Sequence, residues 1–224
     1  MAASGAGDPT TAAAGAASGL RERRRRQTMA EISEAALQLF EDRGLEAATV
    51  EEIAAAAGVS QRTFFRYFAT KEDAALPVHR EFEDAVEAAV QQADPDADPC
   101  TELATVYLRV LQDFADHACP AAQRMLRVSR LVRREPLLRS ALVRHGAARN
   151  SRLLQALQAR FGPSGAADLQ LRVAVELCTS LARAAVETWA ERLEAGREAV
   201  LPDIFADAQL LAQRGRSGHL PAVP

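Results

Sequence analysis

One stretch of the sequence, residues 49–68 (TVEEIAAAAGVSQRTFFRYF), restricts the possible fold more than any other. Thr49 and Glu52 have the spacing of a capping box, which predicts that a short helix follows Thr49. Gly58 is expected to end this helix, because glycine readily adopts the left-handed conformation of a tight turn. Ser60 is then expected to cap a second short helix. Two short helices joined by a glycine-containing turn predict a helix–turn–helix unit.

The rest of the chain also has a helical pattern. Before the unit, Met29, Ile32, Ala36, Leu39 and Phe40 recur at the spacing of one helical face. Aromatic residues make up only 5% of the chain, so its core is built mainly from alanine, leucine and valine. No alternation of apolar and polar residues typical of strands stands out, and the sequence therefore predicts an all-α fold.

Proline and charge divide the chain further. Pro77 lies beyond the first turn of a helix that is expected to begin after Thr70, and it predicts a kink or a shifted start there. The net charge of −3 conceals a segregation: residues 20–26 carry +4, residues 72–120 carry −10 and residues 121–165 carry +9. Because local fields matter more than the total, the acidic net charge does not exclude a polyanionic partner.

Several classes of protein are excluded. No apolar stretch approaches the length of a membrane span, and a signal peptide is not expected, so no membrane partner is predicted. Cys100, Cys119 and Cys178 are too widely spaced for a disulfide framework and fit a cytoplasmic protein. The four histidines are dispersed and no catalytic motif occurs. We therefore expect no metal site, no catalytic residues, no cofactor and no enzymatic activity.

The second helix of the helix–turn–helix unit has the side chains that a reader of double-stranded DNA requires. Phe64 and Phe68, one turn apart, are expected to pack beneath it. Its outer arc then offers an amide, hydroxyls, guanidinium groups and aromatic rings, which can bind base edges in the major groove. Residues 59–71 hold three basic residues and no acidic one, as proximity to phosphate requires. The alternative is a basic helical surface with no role in nucleic-acid binding.

The residues of this region also carry a family resemblance. The run ISEAALQLF at residues 32–40, Gly44 and the run ATVEEIAAAAGVSQRTFFRYFATKED resemble the N-terminal domain of the TetR/AcrR family of transcriptional regulators, over about residues 25–75. The resemblance implies a three-helix DNA-binding domain followed by a helical domain that binds ligand and forms a homodimer. It implies phosphate contacts for Thr49 and Lys71, and a recognition face formed by Ser60, Gln61, Arg62, Thr63, Phe65, Arg66 and Tyr67.

Two assignments at this interface have alternatives. Tyr67 is either part of the recognition face or an aromatic side chain at the edge of the core. The basic run at residues 21–26, which contains Arg24 and Arg25, is either an arm that contacts DNA or a solvated helix start.

The resemblance and the composition together predict four segments. Residues 1–19 are small and nearly uncharged, which predicts a disordered tail. The helix–turn–helix DNA-binding domain covers residues 20–70, and the helical effector-binding and dimerisation domain covers residues 71–214. Residues 215–224 are expected to form a flexible tail.

The function implied is that of a repressor, released from a palindromic operator by a small hydrophobic or acyl-type effector. The run LVRREPLLRSAL and Trp189 are also similar to regulators of mycofactocin-type gene clusters, a subgroup associated with acyl-CoA-like effectors. The predicted ligand pocket is lined by Leu103, Tyr107, Phe114, Leu126, Arg127, Leu177, Leu181 and Trp189. A constitutive or architectural DNA-binding protein without ligand is the alternative.

Two features of the C-terminal half have two interpretations each. The arginine-rich segment 121–165 either pairs with the acidic segment 72–120 or binds an anionic effector. Residues 173–190 are apolar on two faces, which predicts a dimer interface together with the last helix unless the same chain covers the second face. The predicted interface residues are Val175, Ala182, Val186, Leu201, Ile204, Phe205, Ala208 and Leu211.

Overall fold

The structure is a computed structural model that describes residues 9–162 and 165–216. Within these residues it contains ten helices and no strand, and the prediction of an all-α fold is confirmed. The helices are α1 (Pro9–Arg43), α2 (Val50–Ala56), α3 (Gln61–Tyr67), α4 (Lys71–Ala74), α5 (Pro77–Val90), α6 (Pro99–Gln112), α7 (Pro120–Arg134), α8 (Pro136–Phe161), α9 (Gly165–Glu194) and α10 (Leu201–Arg216).

The chain divides into two compact units, the first ending at Pro77 and the second beginning at Val78. The sequence placed this boundary after residue 70. The difference arises from α4, which packs against α1 and therefore belongs to the first unit. The capping boxes at Thr49 and Thr70 thus belong to one unit, which comprises α1 to α4.

Proline determines where several helices begin. The single helix expected after Thr70 is two helices: α4 ends at Ala74 and α5 begins at Pro77. A residue before proline disfavours the helical conformation, whereas proline itself fits the first helical position. The same arrangement begins α6, α7 and α8, at Pro99, Pro120 and Pro136.

The two ends of the chain differ from the predicted tails. Helix α1 begins at Pro9, so residues 9–19 are helical, in keeping with the high helix propensity of their alanines. Helix α10 continues to Arg216. The remainder of both predicted tails, residues 1–8 and 217–224, lies outside the described residues.

Each unit has its own apolar core. In the first, Phe40 of α1, Ile53 of α2 and Phe64 of α3 are fully buried. In the second, α9 packs against α6, α8 and α10, and Trp189 at its C-terminal end is completely buried. Among the helices described, none is both long and apolar enough to cross a membrane.

Candidate functional site

Helices α2 and α3 are fixed by side-chain caps at both starts. The Thr49 hydroxyl accepts a hydrogen bond from the Glu52 N–H at 3.2 Å, and the Glu52 carboxylate accepts one from the Thr49 N–H at 3.0 Å. The Thr49 N–H and the Thr49 hydroxyl both donate to the Glu52 carboxylate at 3.0 Å and, aided by Arg43, lower the pKa of Glu52. The Ser60 hydroxyl accepts from the Thr63 N–H at 3.1 Å. Between the two helices Gly58 has a φ of +66°, which permits the tight turn.

The aromatic residues of α3 separate into an inner and an outer set. Phe64 and Phe68 are buried with their ring centroids 5.7 Å apart, as their spacing predicts. Phe65, the next residue along the helix, is 55% exposed and meets the ring of Phe64 edge to face. The inner pair holds α3 against the core of the first unit, which leaves the opposite face of the helix to solvent.

The exposed face of α3 contains the predicted recognition residues. Gln61, Arg62, Phe65 and Arg66 are exposed, and no other described residue binds the polar ends of Gln61 and Arg62. Arg66 lies over the ring of Tyr67, with the guanidinium carbon 5.1 Å from the ring centroid. Tyr67 is half-buried, between the two interpretations that the sequence allows.

The caps use two of the predicted contact residues. The side chains of Thr49 and Ser60 are exposed, but each hydroxyl accepts a hydrogen bond from the first turn of its helix. Thr63 is half-buried, and its hydroxyl lies 3.0 Å from that of Ser60. These hydroxyls therefore stabilise the helix starts, and only their remaining hydrogen-bonding capacity is available to a ligand.

The side chain of Lys71, for which the resemblance implies a phosphate contact, is bound within the first unit. Its ammonium group donates to the backbone carbonyl oxygens of Leu45 at 2.6 Å and Ala48 at 2.9 Å. A longer bond to the Glu46 carbonyl, at 3.4 Å, occupies the third donor. An ammonium group has only three donors, and in this conformation Lys71 uses them to tie α4 to the loop after α1.

The basic run before the helix–turn–helix unit lies on α1. Arg24 and Arg25 are exposed. Glu22 lies 3.8 Å from Arg25 and accepts a hydrogen bond from Arg26 at 3.1 Å. Exposed pairs of this kind are weak, so they leave the guanidinium groups accessible to a stronger anionic partner.

The second unit encloses a cavity of about 1010 Å³ between α5, α6, α7, α8, α9 and the start of α10. Phe82, Tyr107 and Phe114 form one aromatic wall, in which the Phe82 ring lies edge-on to the other two at about 6 Å. The volume is at the upper end of the usual range for small-molecule sites, and the lining mixes apolar, aromatic and charged side chains.

Two of the eight predicted pocket residues, Tyr107 and Phe114, line this cavity. The other six lie outside its lining, because an apolar helical pattern does not distinguish side chains that face a cavity from those that fill the core. Leu103, Leu126 and Trp189 are buried in the core, whereas Leu177 is 38% exposed. The half-buried residues Arg127 and Leu181 also lie outside the lining.

A polar cluster forms part of the cavity wall. Arg149 of α8 donates to the buried Glu83 carboxylate of α5 at 3.0 Å, and burial raises the pKa of Glu83 in spite of this pairing. Burial raises the pKa of Tyr107 to about 12, while its hydroxyl lies 3.3 Å from that of Thr179. Burial and Arg149 lower the pKa of His79 to about 4, so this imidazole is neutral at pH 7.

The arginine-rich segment pairs extensively, though not only with the acidic segment. Arg149 and Arg152 contact Glu83, and Arg124 contacts Glu81 at 3.4 Å. Arg130 and Arg133, however, both bind Glu194 at the end of α9. Residues 72–120 therefore pair with only part of the arginine-rich segment. Near the α7–α8 corner, the partner of Arg130 and Arg133 is Glu194.

Most predicted dimer-interface residues belong to the core of a single chain. Val175, Ala182, Leu201, Ile204 and Phe205 are buried in the second unit. Val186 and Ala208 are half-buried, and Leu211 alone among the eight is exposed. In the single chain α9 packs directly on α10, which covers this face in the way that the alternative describes.

The apolar face that α9 leaves to solvent is a different one. Leu169, Val173 and Leu177 follow one another every fourth residue and are 68%, 55% and 38% exposed. On α10, Leu210 and Leu211 are each about half exposed. The four-residue spacing was available in the sequence, but it competes there with the equally regular pattern of the buried face.

The cavity residues that interact across helices carry no signal in the local sequence pattern. His79 and Glu83 of α5 meet Arg149 of α8 only because the helices pack together, and no local spacing links them. Arg133 was noted as one of many arginines, but its position in the cavity wall depends on where α7 ends.

Comparisons with known proteins agree with this architecture. Residues 32–75 match the family described as bacterial regulatory proteins, tetR family. The chain is 30% identical over 212 residues to the HTH-type transcriptional regulator TcmR of Streptomyces glaucescens, a match that covers 89% of this chain and 94% of TcmR.

Other likenesses are shorter or more distant. A putative mycofactocin biosynthesis transcriptional regulator of Mycobacterium tuberculosis, MftR, is 47% identical over 49 residues, which cover 22% of this chain and 25% of MftR. That match is too short to span the C-terminal half. Among solved structures, Thermus thermophilus FadR in complex with lauroyl-CoA has a TM-score of 0.47 and 21% identity, covering 88% of this chain and 98% of FadR. The Stenotrophomonas maltophilia repressor SmeT has a TM-score of 0.48 and 18% identity, with coverages of 87% and 94%.

Proposed function

Because this chain belongs to the TetR family of bacterial regulatory proteins, we propose that it is a ligand-responsive repressor that binds a palindromic DNA operator as a homodimer. The observation that carries the proposal is the exposed face of α3. Gln61, Arg62 and Arg66 project from a helix that is capped at its start and anchored beneath by Phe64. Amide and guanidinium groups of this kind bind adenine and guanine edges in the major groove.

The operator is best found without assuming its sequence. Genomic fragments that the purified protein retains are sequenced, and a shared palindrome is then tested in a binding assay. Arg62→Ala should weaken operator binding about 10- to 100-fold, since a base-contacting arginine contributes about 1–3 kcal/mol. Arg172→Ala, which removes an exposed arginine of α9, is the matched control and should leave affinity unchanged. Retention of no particular sequence would contradict the proposal.

The homodimer is proposed to form through the exposed apolar residues of α9 and α10. Leu169, Val173 and Leu177 present one continuous apolar stripe, which a second copy of the chain would cover. A two-fold dimer would present two α3 helices to half-sites about one helical turn apart, about 34–36 Å, or a little more.

Light scattering after size exclusion tests this interface. The unaltered protein should have the mass of a dimer, and Val173→Asp should shift it to the monomer and weaken operator binding. Leu137→Asp, on an apolar residue of α8 that is 51% exposed, should have neither effect. A wild-type monomer at micromolar concentration would refute the proposed dimer.

The cavity in the second unit supports an effector-responsive function over a constitutive or architectural one. A protein that binds DNA without a ligand has no need of a cavity of about 1010 Å³. We infer a small hydrophobic or acyl-type effector, which acts by binding one conformation of the dimer more tightly than the other. Acyl-CoAs, free fatty acids and hydrophobic cations are tested for release of the protein from its operator. If none of them releases it, this part of the proposal is wrong.

A further inference from the structure

The end of the cavity at the α7–α8 corner contains a charged group with unused hydrogen-bonding capacity. Arg133 lines the cavity, and one of its guanidinium nitrogens, Nη1, is buried and has no hydrogen-bond partner. Its other terminal nitrogen, Nη2, donates to Glu194. Buried donors are nearly always paired in folded proteins, so an unpaired one on a side chain that lines a cavity marks a place where a ligand acceptor would complete the pairing.

The local charges favour an anion over a neutral acceptor. Arg130 and Arg133 share one carboxylate oxygen, Oε1 of Glu194, so two positive charges meet one negative charge. Arg139, which also lines the cavity, donates to the backbone carbonyl of Arg133 at 3.3 Å and adds a further positive charge. A carboxylate can accept from a guanidinium group and neutralise it at the same time.

The acidic residues of the lining are largely matched elsewhere. Glu83 and Glu87 contact Arg149 and Arg152, respectively, and Glu187 accepts from Arg183 at 3.0 Å. Two lining carboxylates are exceptions: Glu176 accepts from the amide of Asn150 at 2.9 Å, and Glu191, one turn before Glu194 on α9, also lines the cavity. Of the two, Glu191 is the one near the cationic corner. Its charge opposes an anionic ligand, which supplies a second variant with the opposite expected effect.

The cavity beyond this corner fits a bulky apolar group. Lining residues of α8 extend from Arg139 to Leu153, about 21 Å along the helix at 1.5 Å per residue. Leu142 and Val143 follow the cationic corner, and the aromatic wall with Phe82 lies across the same cavity. A volume of about 1010 Å³ exceeds what a single alkyl chain fills.

We propose that the cavity selects an acidic amphiphile, whose carboxylate or equivalent oxyanion binds Arg133 and Arg139 and whose broad apolar body lies along α8. This inference rests on the proposed effector function and narrows it to one class of ligand. It differs from the alternative interpretation of the arginine-rich segment, in which these arginines only pair with the acidic segment 72–120.

Two fluorescent probes that differ only in the head group test the inference on the full-length protein. 1-Pyrenebutyrate has an aromatic body and a carboxylate, whereas 1-pyrenebutanol has the same body and a neutral hydroxyl group. The unaltered protein should bind the acid at least about tenfold more tightly than the alcohol, since hydrogen bonds between charged groups are the stronger ones. This comparison requires no variant and is therefore independent of any folding defect.

Variants then show which residues cause the preference for the acid over the alcohol. Arg133→Met should weaken binding of the acid about tenfold or more and leave binding of the alcohol within about twofold. Arg134→Met removes the adjacent, exposed arginine that does not line the cavity, and should change neither. Glu191→Gln should strengthen binding of the acid only.

The possible failures are distinguishable. If acid and alcohol bind equally well, or if Arg133→Met weakens both equally, the inference is overturned while the cavity remains a ligand site. If neither probe binds, the inference is overturned as well, and operator release by the other effector classes decides separately whether the proposed function stands.

Discussion

The two units of this chain differ in where several of their aromatic side chains lie. In the first unit the rings of Phe40, Phe64 and Phe68 are buried, Tyr67 is half-buried and Phe65 faces solvent. In the second unit Phe82, Tyr107 and Phe114 form the wall of a cavity of about 1010 Å³. A side chain that faces a cavity lacks packing partners on that side and so contributes less to stability.

The difference reflects the task proposed for each unit. A helix that reads DNA must hold its side chains in one arrangement, and a filled core with capped helix starts gives that rigidity. A unit that responds to a ligand needs room for it and more than one arrangement of its helices. We therefore expect substitutions of the same kind to have unequal effects in the two units.

Truncation of a ring in each unit should show the largest inequality. Phe64→Ala should lower the free energy of unfolding by about 3–5 kcal/mol, because it leaves a void under α3. Phe82→Ala should cost less than half as much, since one side of Phe82 already faces the cavity. Urea unfolding is followed by circular dichroism, and by the fluorescence of Trp189, which lies in the second unit. Equal losses would contradict the contrast between a filled core and a cavity wall.

Acid should act mainly on the second unit, and this is the next largest effect that we expect. The pKa of His79 is lowered to about 4 in the folded chain, against about 6.5 when unfolded. Between these values the unfolded chain binds more protons, so stability falls as the pH falls from 6.5 to 4, by about 3 kcal/mol in total. All four histidines lie beyond Pro77, so the histidine contribution arises in the second unit alone. In the first unit Glu52, whose pKa is lowered, loses stabilisation only at the acid end of this range.

His79→Gln is the control for this acid effect. It should remove most of the loss that Trp189 fluorescence reports between pH 6.5 and pH 4. Glu83, whose pKa is raised by burial, acts in the opposite direction in both proteins and so does not produce the difference. An identical pH profile for the variant would show that His79 is not held neutral by its surroundings.

The same division determines how much the sequence could predict. The caps at Thr49 and Ser60, the turn at Gly58 and the inner position of Phe64 all follow from spacings of a few residues, and the structure has them as predicted. Here local preference and tertiary packing agree, which is why a short motif was sufficient.

In the second unit the decisive contacts join residues far apart in sequence. Periodicity predicted apolar helices, but it could not say which of two apolar faces of α9 is covered by α10. The residues predicted for the dimer lie mostly on the covered face. Likewise, Leu126 and Met125 are neighbours in α7, yet only Met125 faces the cavity. Such choices depend on how the helices cross, which no local pattern contains.

In the first unit, Lys71 makes tertiary contacts that the motif does not indicate. Lys71→Met removes the hydrogen bonds to the carbonyls of Leu45 and Ala48, and should lower the free energy of unfolding by about 2 kcal/mol in the absence of DNA. A purely phosphate-binding lysine would instead leave stability unchanged and weaken operator binding. Thermal unfolding without DNA, compared with operator affinity at several salt concentrations, distinguishes the two roles.

Two glycines give the smallest expected effects and the most direct comparison of the two units. The same change to alanine should alter the free energy of unfolding in opposite directions at the two positions. Gly58 has a φ of +66° and open space around it, so Gly58→Ala should lower the free energy of unfolding by about 1 kcal/mol through backbone strain alone. Gly146 lies inside α8, where alanine is the better helix former, and Gly146→Ala should raise it by about 0.5 kcal/mol.

The neighbours of each glycine decide the controls. A methyl group at Gly146 would lie 3.3 Å from Nη2 of Arg149, so the gain requires that this guanidinium group move slightly. Gly58→Asn should retain part of the stability that alanine loses, because asparagine tolerates the left-handed conformation better. If both alanine variants were destabilised equally, the cavity wall at α8 would be as tightly constrained as the turn between α2 and α3, and the proposed contrast between the two units would fail.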